Sequence, residues 1–355
     1  MRPSACGAVP RRHDRVDTLV DEAVDWVTAR IAAKHADRPA IAGTLGRLPT
    51  DAEVREQVTM LAVAAASPAA EAFRDYVRWL AVVLTSRGAP GQTLGETLTL
   101  LRAFFERRLE PSARAPVVEM LRSALDALAE EHDRGTPGDH GQGADGLPGV
   151  EPLTRGLLAG DIARVRSIAM EAFAAEWDYI GIATRLFQPA LYRIGLLWQH
   201  NEITVAAEHL ATAISRNVLA QLYPSAEFAP PTGRRALFAA VAGNEHSLGP
   251  RMVSDAFELA GWSVQYLGAN TPTDALVAQI EAWRPELVGL SVSLVRQLTD
   301  LKDAVAAIGA RFGERRPKVM VGGLPINQID GIWRWSGADL WSPGADAAVP
   351  AAVAA

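Results

Sequence analysis

A single cysteine, Cys6, stands in 355 residues, so no internal disulfide can tie the chain together and its folded state must rest on burial. Long apolar runs are also missing. Nothing approaches the ~20 residues of a membrane-spanning helix, and no membrane association is expected. The basic start "MRPSACGAVPRR" has no apolar segment behind it, so a secretory leader is not expected and the cytoplasm is the expected compartment. Positive charge is not in excess either. With Lys and Arg at 35 against 41 Asp and Glu, the net charge of −6 sets up no general attraction for phosphate backbones or anionic lipid. Histidines number only seven, which makes the placement of each informative.

What is present suits a globular protein with a real core: 49% hydrophobic and 21% charged residues, in a length that predicts two or three domains. Residues 1–135 read as helices only. Segments such as "VDTLVDEAVDWVTARIAAKH", "DAEVREQVTMLAVAAA" and "TLGETLTLLRAFFERRL" repeat apolar residues at helical spacing between Gly, Pro and Asp joints. This is expected to be a helical sensor or partner domain, with Trp79, Phe104 and Phe105 in its core. Residues 136–150, rich in Gly, Asp and Pro, are expected to form a flexible linker. Residues 151–228 predict a four-helix bundle, with Asp161 and Thr204 as helix N-caps.

Over residues 233–355, short apolar runs alternate with helical patterns. "ALFAAVAG", "SVQYLG", "ELVGLSVS", "KVMVGG" and "DLWSPG" predict five strands of a parallel, doubly wound, flavodoxin-like sheet of the Rossmann-like kind. The whole is a multidomain α plus α/β chain. Ligands of such sheets bind beyond the carboxyl ends of the strands.

The first of these strands runs into "GNEHSLG", which sets His246 at that edge. A phosphate loop would need a lysine after its glycines, and a dinucleotide turn would need G-x-G-x-x-G; neither follows this strand. No second His, Cys or carboxylate stands at zinc-ligand spacing around His246. An imidazole on a tight turn, with Gly249 allowing close approach, suits a lone ligand to a metal already held by a cofactor. Taken by itself, the turn reads more simply as a capping or loop histidine.

The rest of the sheet changes that balance. Residues 250–290 separate Gly249 from Ser291 of "GLSVSL", and residues 294–321 separate Ser293 from Gly322-Gly323 of "VMVGG". This layout resembles the signature of cobalamin-binding domains: Asp-x-His-x-x-Gly, then Ser-x-Leu, then Gly-Gly, covering about 235–345. The resemblance implies that His246 binds cobalt from below in place of the cofactor's own dimethylbenzimidazole. Asn244, Glu245, Ser247, Leu248 and Gly249 would then form the turn beneath the cofactor. The displaced nucleotide tail would thread beside Ser291, Ser293, Gly322 and Gly323, where glycines keep strand and helix from closing up. Two positions depart from the pattern. Asn244 stands where the signature has Asp and brings no charge to the imidazole, and Ser293 stands where it has Leu.

Upstream, in "WQHNEITVAAEH", residues 199–207 separate Trp198 from Glu208-His209. The bland reading is a bundle helix with a core valine and a surface Glu-His pair. The spacing also resembles the upper-face motif of the light-sensing adenosylcobalamin regulators of the CarH/LitR type. That resemblance implies that Trp198, Val205 and Glu208 enclose the 5′-deoxyadenosyl group and that His209 takes the cobalt once light has broken the cobalt–carbon bond. Val205, Glu208 and His209 share one helical face by their spacing.

Adenosylcobalamin is therefore the expected cofactor, with methylcobalamin the alternative. The expected role is a photoreceptor and signalling protein in transcription regulation, not a turnover enzyme. A corrinoid carrier of a methyltransferase system is the competing role, and a mutase is disfavoured because no barrel-sized substrate domain fits in the chain. The resemblance stops at residues 1–135, which are about twice too long for the regulators' winged-helix domain and show no basic recognition helix. Arg107-Arg108 sits between Glu106 and Glu110, and "GERRPK" falls in the sheet domain. A protein partner reached through residues 1–135, or a second copy of the chain, is expected, without direct DNA binding.

Overall fold

The computed structural model describes residues 12–36, 48–89, 91–134 and 148–355. Cys6, and all of the expected linker except residues 148–150, lie outside the described residues. The chain divides into two compact units, Met1–Pro137 and Gly138–Ala355.

In the first unit the expected helical pattern is realised as α1 (Arg12–Lys34), α2 (Asp51–Ala66), α3 (Ala70–Ser86), α4 (Gly91–Arg108) and α5 (Pro111–Arg134). A capping box opens α2: the Glu53 N–H donates to Thr50 Oγ1 at 3.3 Å while the Thr50 N–H donates to Glu53 Oε2 at 2.7 Å. The apolar stripes meet in a core that includes Val27, Ile31, Leu61, Phe73, Leu98 and Leu121. Phe104 and Phe105 are buried as expected, whereas Trp79 is only half-buried and stacks on Tyr76 with ring centroids 6.0 Å apart. Arg108 forks onto both carboxylate oxygens of Glu22 at 2.8 Å, so its charge is engaged within the unit.

The second unit opens with the bundle: α6 (Val150–Leu158), α7 (Ile162–Ala174), α8 (Tyr179–Ile182), α9 (Gln188–Gln199) and α10 (Val205–Leu222). Asp161 and Thr204 cap α7 and α10 through the Arg164 and Ala207 amides, at 2.9 and 3.2 Å. α8 and α9 are one helix interrupted by a π turn at Ala183–Phe187. The interruption has a cause in Pro189, which donates no N–H and whose ring would collide with the carbonyl one turn earlier in a straight helix; the wider turn relieves this.

The sheet follows as β1 (Arg235–Ala240), β2 (Ser263–Tyr266), β3 (Leu287–Ser291), β4 (Lys318–Gly322) and β5 (Leu340–Trp341), all parallel, in the order β2-β1-β3-β4-β5. This is the flavodoxin-like order. The crossovers are α11 (Leu248–Leu259), α12 (Thr273–Trp283), α13 (Leu298–Phe312) and a broken fourth one, α14 (Leu324–Gln328) with α15 (Ile332–Trp335). The sequence suggested one helix there; Gly331, at φ 72°, turns the chain between two short ones. A last helix, α16 (Ala345–Ala354), was not expected, because an Ala-rich run offers little contrast between faces. Its Ala348 and Ala352, one turn apart, are nonetheless buried in the sheet core with Phe238 and Phe257. Bundle and sheet share packing, since Met252 and Ala256 of α11 join the apolar cluster of the bundle helices. Among the described residues no helix is long and apolar enough to cross a membrane.

Candidate functional site

β1 pairs with β2 on one side and β3 on the other, so the strand order reverses between β1 and β3. At such a point the crossovers leave the sheet on opposite faces, and a crevice opens at the carboxyl ends. The expected site residues of the sheet gather here. The Val241 N–H donates to the Ser291 carbonyl at 3.2 Å, and Ser291 lies opposite Gly322 in the β3–β4 register.

The turn after β1 is built around Asn244, whose exposure is 0%. Its Nδ2 donates to the Ser291 carbonyl at 3.0 Å, and its Oδ1 accepts the His246 N–H at 3.1 Å. The same Oδ1 lies 3.3 Å from His246 Nδ1. With Nδ2 committed to Ser291, the atom facing the imidazole is an acceptor. That favours the tautomer with hydrogen on Nδ1 and leaves a lone pair on Nε2. His246 and Glu245 are exposed.

Ser247, the next residue, is held from two sides. Its Oγ accepts from Arg216 Nη2 of α10 at 3.0 Å, and its carbonyl accepts from the Tyr266 hydroxyl. Burial raises the Tyr266 phenol above its ordinary range, which keeps it a donor. Leu248 packs against the bundle core. Gly249, in the first turn of α11, has no atom within 4 Å of where a Cβ would stand, so its surface is open.

Gly323 has the opposite character. At φ 110° it lies outside the range comfortable for side chains, and a Cβ would fall 1.7 Å from the Val292 carbonyl oxygen. The Ser293 and Leu294 amides both donate to Gln297 Oε1, at 2.8 and 3.0 Å. Gln297 was not among the expected site residues. A glutamine opening a helix is ordinarily solvated, and nothing in "SLVRQLTD" signals that this one is buried.

The other expected group lies at one end of the bundle. α9 ends in a Schellman turn: the Glu202 N–H donates to the Leu197 carbonyl at 2.9 Å, the Asn201 N–H to the Trp198 carbonyl at 3.0 Å, and Asn201 takes φ 60°. The turn sets Trp198 at the end of one helix and Val205, Glu208 and His209 at the start of the next. Val205 is 52% exposed, unusual for an aliphatic side chain. Glu208 is spoken for at both oxygens, by His209 Nδ1 at 2.6 Å and by the Thr212 hydroxyl at 2.9 Å. His209 itself is exposed.

α10 joins the two groups. Glu208, Thr212 and Arg216 follow one another at i, i+4 spacing on a single face, and Arg216 reaches Ser247 beside His246. At 1.5 Å rise per residue, the Glu208 end of that row lies roughly 12 Å along the axis from the Arg216 end. The arrangement fits a metal that arrives already ligated. Among the described residues no group of three or more His, Cys, Asp or Glu gathers to hold an ion by itself. One oriented imidazole near an open glycine surface is too small a donor set to hold an ion unaided.

Known proteins resemble the chain over both the bundle and the sheet. A model of the B12 binding domain matches the sheet region, residues 234–349, and a second such model matches the bundle, residues 150–223. The chain matches B12 binding domain models in both regions. It is thereby a cobalamin-binding protein. The HTH-type transcriptional repressor CarA of Myxococcus xanthus is 38% identical over 174 residues, 48% of this chain and 55% of the repressor. The HTH-type transcriptional repressor CarH of the same organism is 29% identical over 191 residues, 52% of this chain and 62% of the repressor. The chain thus spans little more than half the length of these curated relatives. The monomethylamine corrinoid protein of Methanosarcina barkeri shares the fold, with a TM-score of 0.50 and 20% identity over 56% of this chain and 93% of that one.

Proposed function

We propose that this chain is a light-responsive regulator that holds adenosylcobalamin between the bundle and the carboxyl edge of the sheet. In this reading His246 Nε2 would hold the cobalt, Asn244 would fix its tautomer, and the β3 and β4 ends with Ser291, Ser293, Gly322 and Gly323 would receive the nucleotide tail. Trp198, Val205 and Glu208 would enclose the adenosyl group, and His209 would be the residue available to the cobalt once that group has left. Bound adenosylcobalamin supplies a cobalt–carbon bond that visible light breaks.

The chain's own part is to sense what fills the space above the corrin. The observation that carries the reading is the single face of α10. It presents an exposed Val205 and the Glu208–His209 pair at one end and grips Ser247 through Arg216 at the other. A change at the upper face is thereby transmitted along a helix in contact with the lower-ligand turn. The similarity to the repressors CarA and CarH supports a regulatory role. Residues 1–135 are the proposed partner domain, acting on another protein or a second copy of the chain in the cytoplasm, without direct DNA contact.

The test is an absorbance spectrum and a hydrodynamic size for the adenosylcobalamin-loaded chain, before and after green light. Both are expected to change. The alternative, a corrinoid carrier serving a methyltransferase, is favoured by the fold shared with the monomethylamine corrinoid protein. A spectrum that changes with no change in size, oligomeric state or protease sensitivity would decide for the carrier.

A further inference from the structure

Gln297 lies at the start of α13 with 1% exposure, and all of its bonding is local to the crevice. Its Oε1 accepts the amides of Ser293 and Leu294, and its Nε2 donates to the Gly243 carbonyl at 2.8 Å. The orientation of this carboxamide is fixed by those partners. A flipped group would set its NH2 against two N–H donors and its oxygen against a carbonyl. Gly243 immediately precedes Asn244, and its own N–H donates to Asn270 Oδ1 at 2.8 Å. The loop that carries His246 is therefore tied to the end of β3 and the segment beyond it by two buried neutral amides, Asn244 to Ser291 and Gln297 to Gly243.

We infer that Gln297 is a positioning residue for the axial histidine: its carboxamide locks the Gly243–His246 turn to the β3 loop and fixes the imidazole before the cofactor arrives. The inference rests on the reading of His246 as the lower ligand. A neutral amide is suited to the task. It joins one carbonyl to two N–H groups across the crevice and leaves no charge buried under the corrin. In this chain, where Asn244 brings no charge to the imidazole, orientation is what the surroundings give His246, and Gln297 holds the turn from which that orientation comes. Groups that orient a metal ligand typically alter metal affinity on the order of 10–100-fold.

The experiment compares the full chain, Gln297→Met and His246→Ala, each loaded with adenosylcobalamin in the dark. Methionine keeps the volume of the side chain and removes all three bonds. Gln297→Met is expected to bind the cofactor roughly 10–100-fold more weakly and to shift its absorbance toward the base-off form shown by His246→Ala. In the cofactor-free protein, the His246 and Ser247 amides should exchange hydrogen faster in Gln297→Met than in the wild type. A wild-type affinity and spectrum in Gln297→Met, beside a shifted spectrum in His246→Ala, overturns the inference alone. An unshifted His246→Ala overturns the axial-ligand reading and the inference with it. Should the methionine variant melt below the working temperature, Gln297→Glu at neutral pH keeps the two accepted bonds and removes the donated one. The same spectral shift is expected there, and a wild-type spectrum overturns the proposal.

Discussion

The Tyr179 hydroxyl of α8 donates to Asp255 Oδ2 of α11 at 2.7 Å, and Arg251 Nε stands 2.7 Å from the other oxygen of that buried carboxylate. The carboxylate and phenol are enclosed between the bundle and the first crossover helix, while the part-exposed Arg251, one turn earlier on α11, lies over Tyr266 and Tyr223. Removing the phenol hydroxyl leaves a buried acceptor short of a donor. Tyr179→Phe is therefore expected to lower stability by about 1.5–3 kcal/mol, the range for a hydrogen bond to a charged group. A denaturant titration reads it as a lower midpoint at unchanged slope. An unchanged midpoint would mean that water replaces the phenol and that the contact does not hold the bundle down.

The same carboxylate gives the protein a pH signature. Burial raises the Asp255 carboxyl above its ordinary value of 3.8, and the hydrogen bond from Tyr179 and the charge of Arg251 offset this only in part. A group whose folded value is raised binds its proton more tightly in the folded state, so it stabilises fully below the ordinary value. That contribution is lost as pH rises through the raised value. Asp255 should thus add a downward slope of stability from about pH 4 upward, opposite in sign to that of ion-paired surface carboxylates such as Glu281. Asp255→Asn is expected to flatten that part of the profile in melting temperatures taken across pH. A profile identical to the wild type would show that the carboxylate is not the source.

Gly323 and Gly249 should separate cleanly, although both belong to the expected site. Gly323→Ala drives a Cβ to 1.7 Å from the Val292 carbonyl at a backbone angle that disfavours any side chain. It is expected to unfold the sheet domain with or without cofactor. Gly249→Ala meets nothing within 4 Å and sits in a helix, where alanine is favoured by up to about 1 kcal/mol. Its cofactor-free protein should melt as high as the wild type or higher, while cobalamin retention on gel filtration falls. Full retention by Gly249→Ala would remove the surface over α11 from the cofactor's footprint.

The difference between those glycines shows what sequence could and could not convey. The alternation of strand and helix and the edge position of His246 were legible because they rest on periodicity and on local turns, and the ends of β1, β3 and β4 converge as the topology requires. Asn244 was legible as a departure, yet its second bond, to Ser291, needs the register of β1 against β3. Gln297 was illegible for the same reason: its partners Gly243, Ser293 and Leu294 come together only across the crevice. The broken fourth crossover and α16 escaped because a single positive-φ glycine and a run of alanines carry almost no pattern. The Tyr179–Asp255 contact links residues far apart in sequence on two separately patterned regions, so no window of sequence holds both.

The last expectation concerns the upper face. His209 Nδ1 lies 2.6 Å from Glu208 Oε2, and the Thr212 hydroxyl steadies the other oxygen. A carboxylate partner strengthens an imidazole as a metal donor, whereas the neutral Asn244 beside His246 only orients it. His209 is thus the better-supported donor of the two once the space above the corrin is vacant. In the proposed dark state that space would be filled, and the 52% exposed Val205 would gain an apolar neighbour. Loss of such a contact typically weakens packing by a few kcal/mol, and each 1.4 kcal/mol shifts a two-state equilibrium about tenfold. His209→Ala should therefore bind adenosylcobalamin in the dark as the wild type does. After green light it should lose the dark-state spectrum but lack the two-histidine absorbance, with the altered hydrodynamic size of the wild type reduced or lost. Glu208→Gln, which keeps the shape and removes the charge, should show the two-histidine species less completely. A His209→Ala variant that reproduces the illuminated wild-type spectrum would assign the upper position to another residue and leave α10 as a structural cap alone.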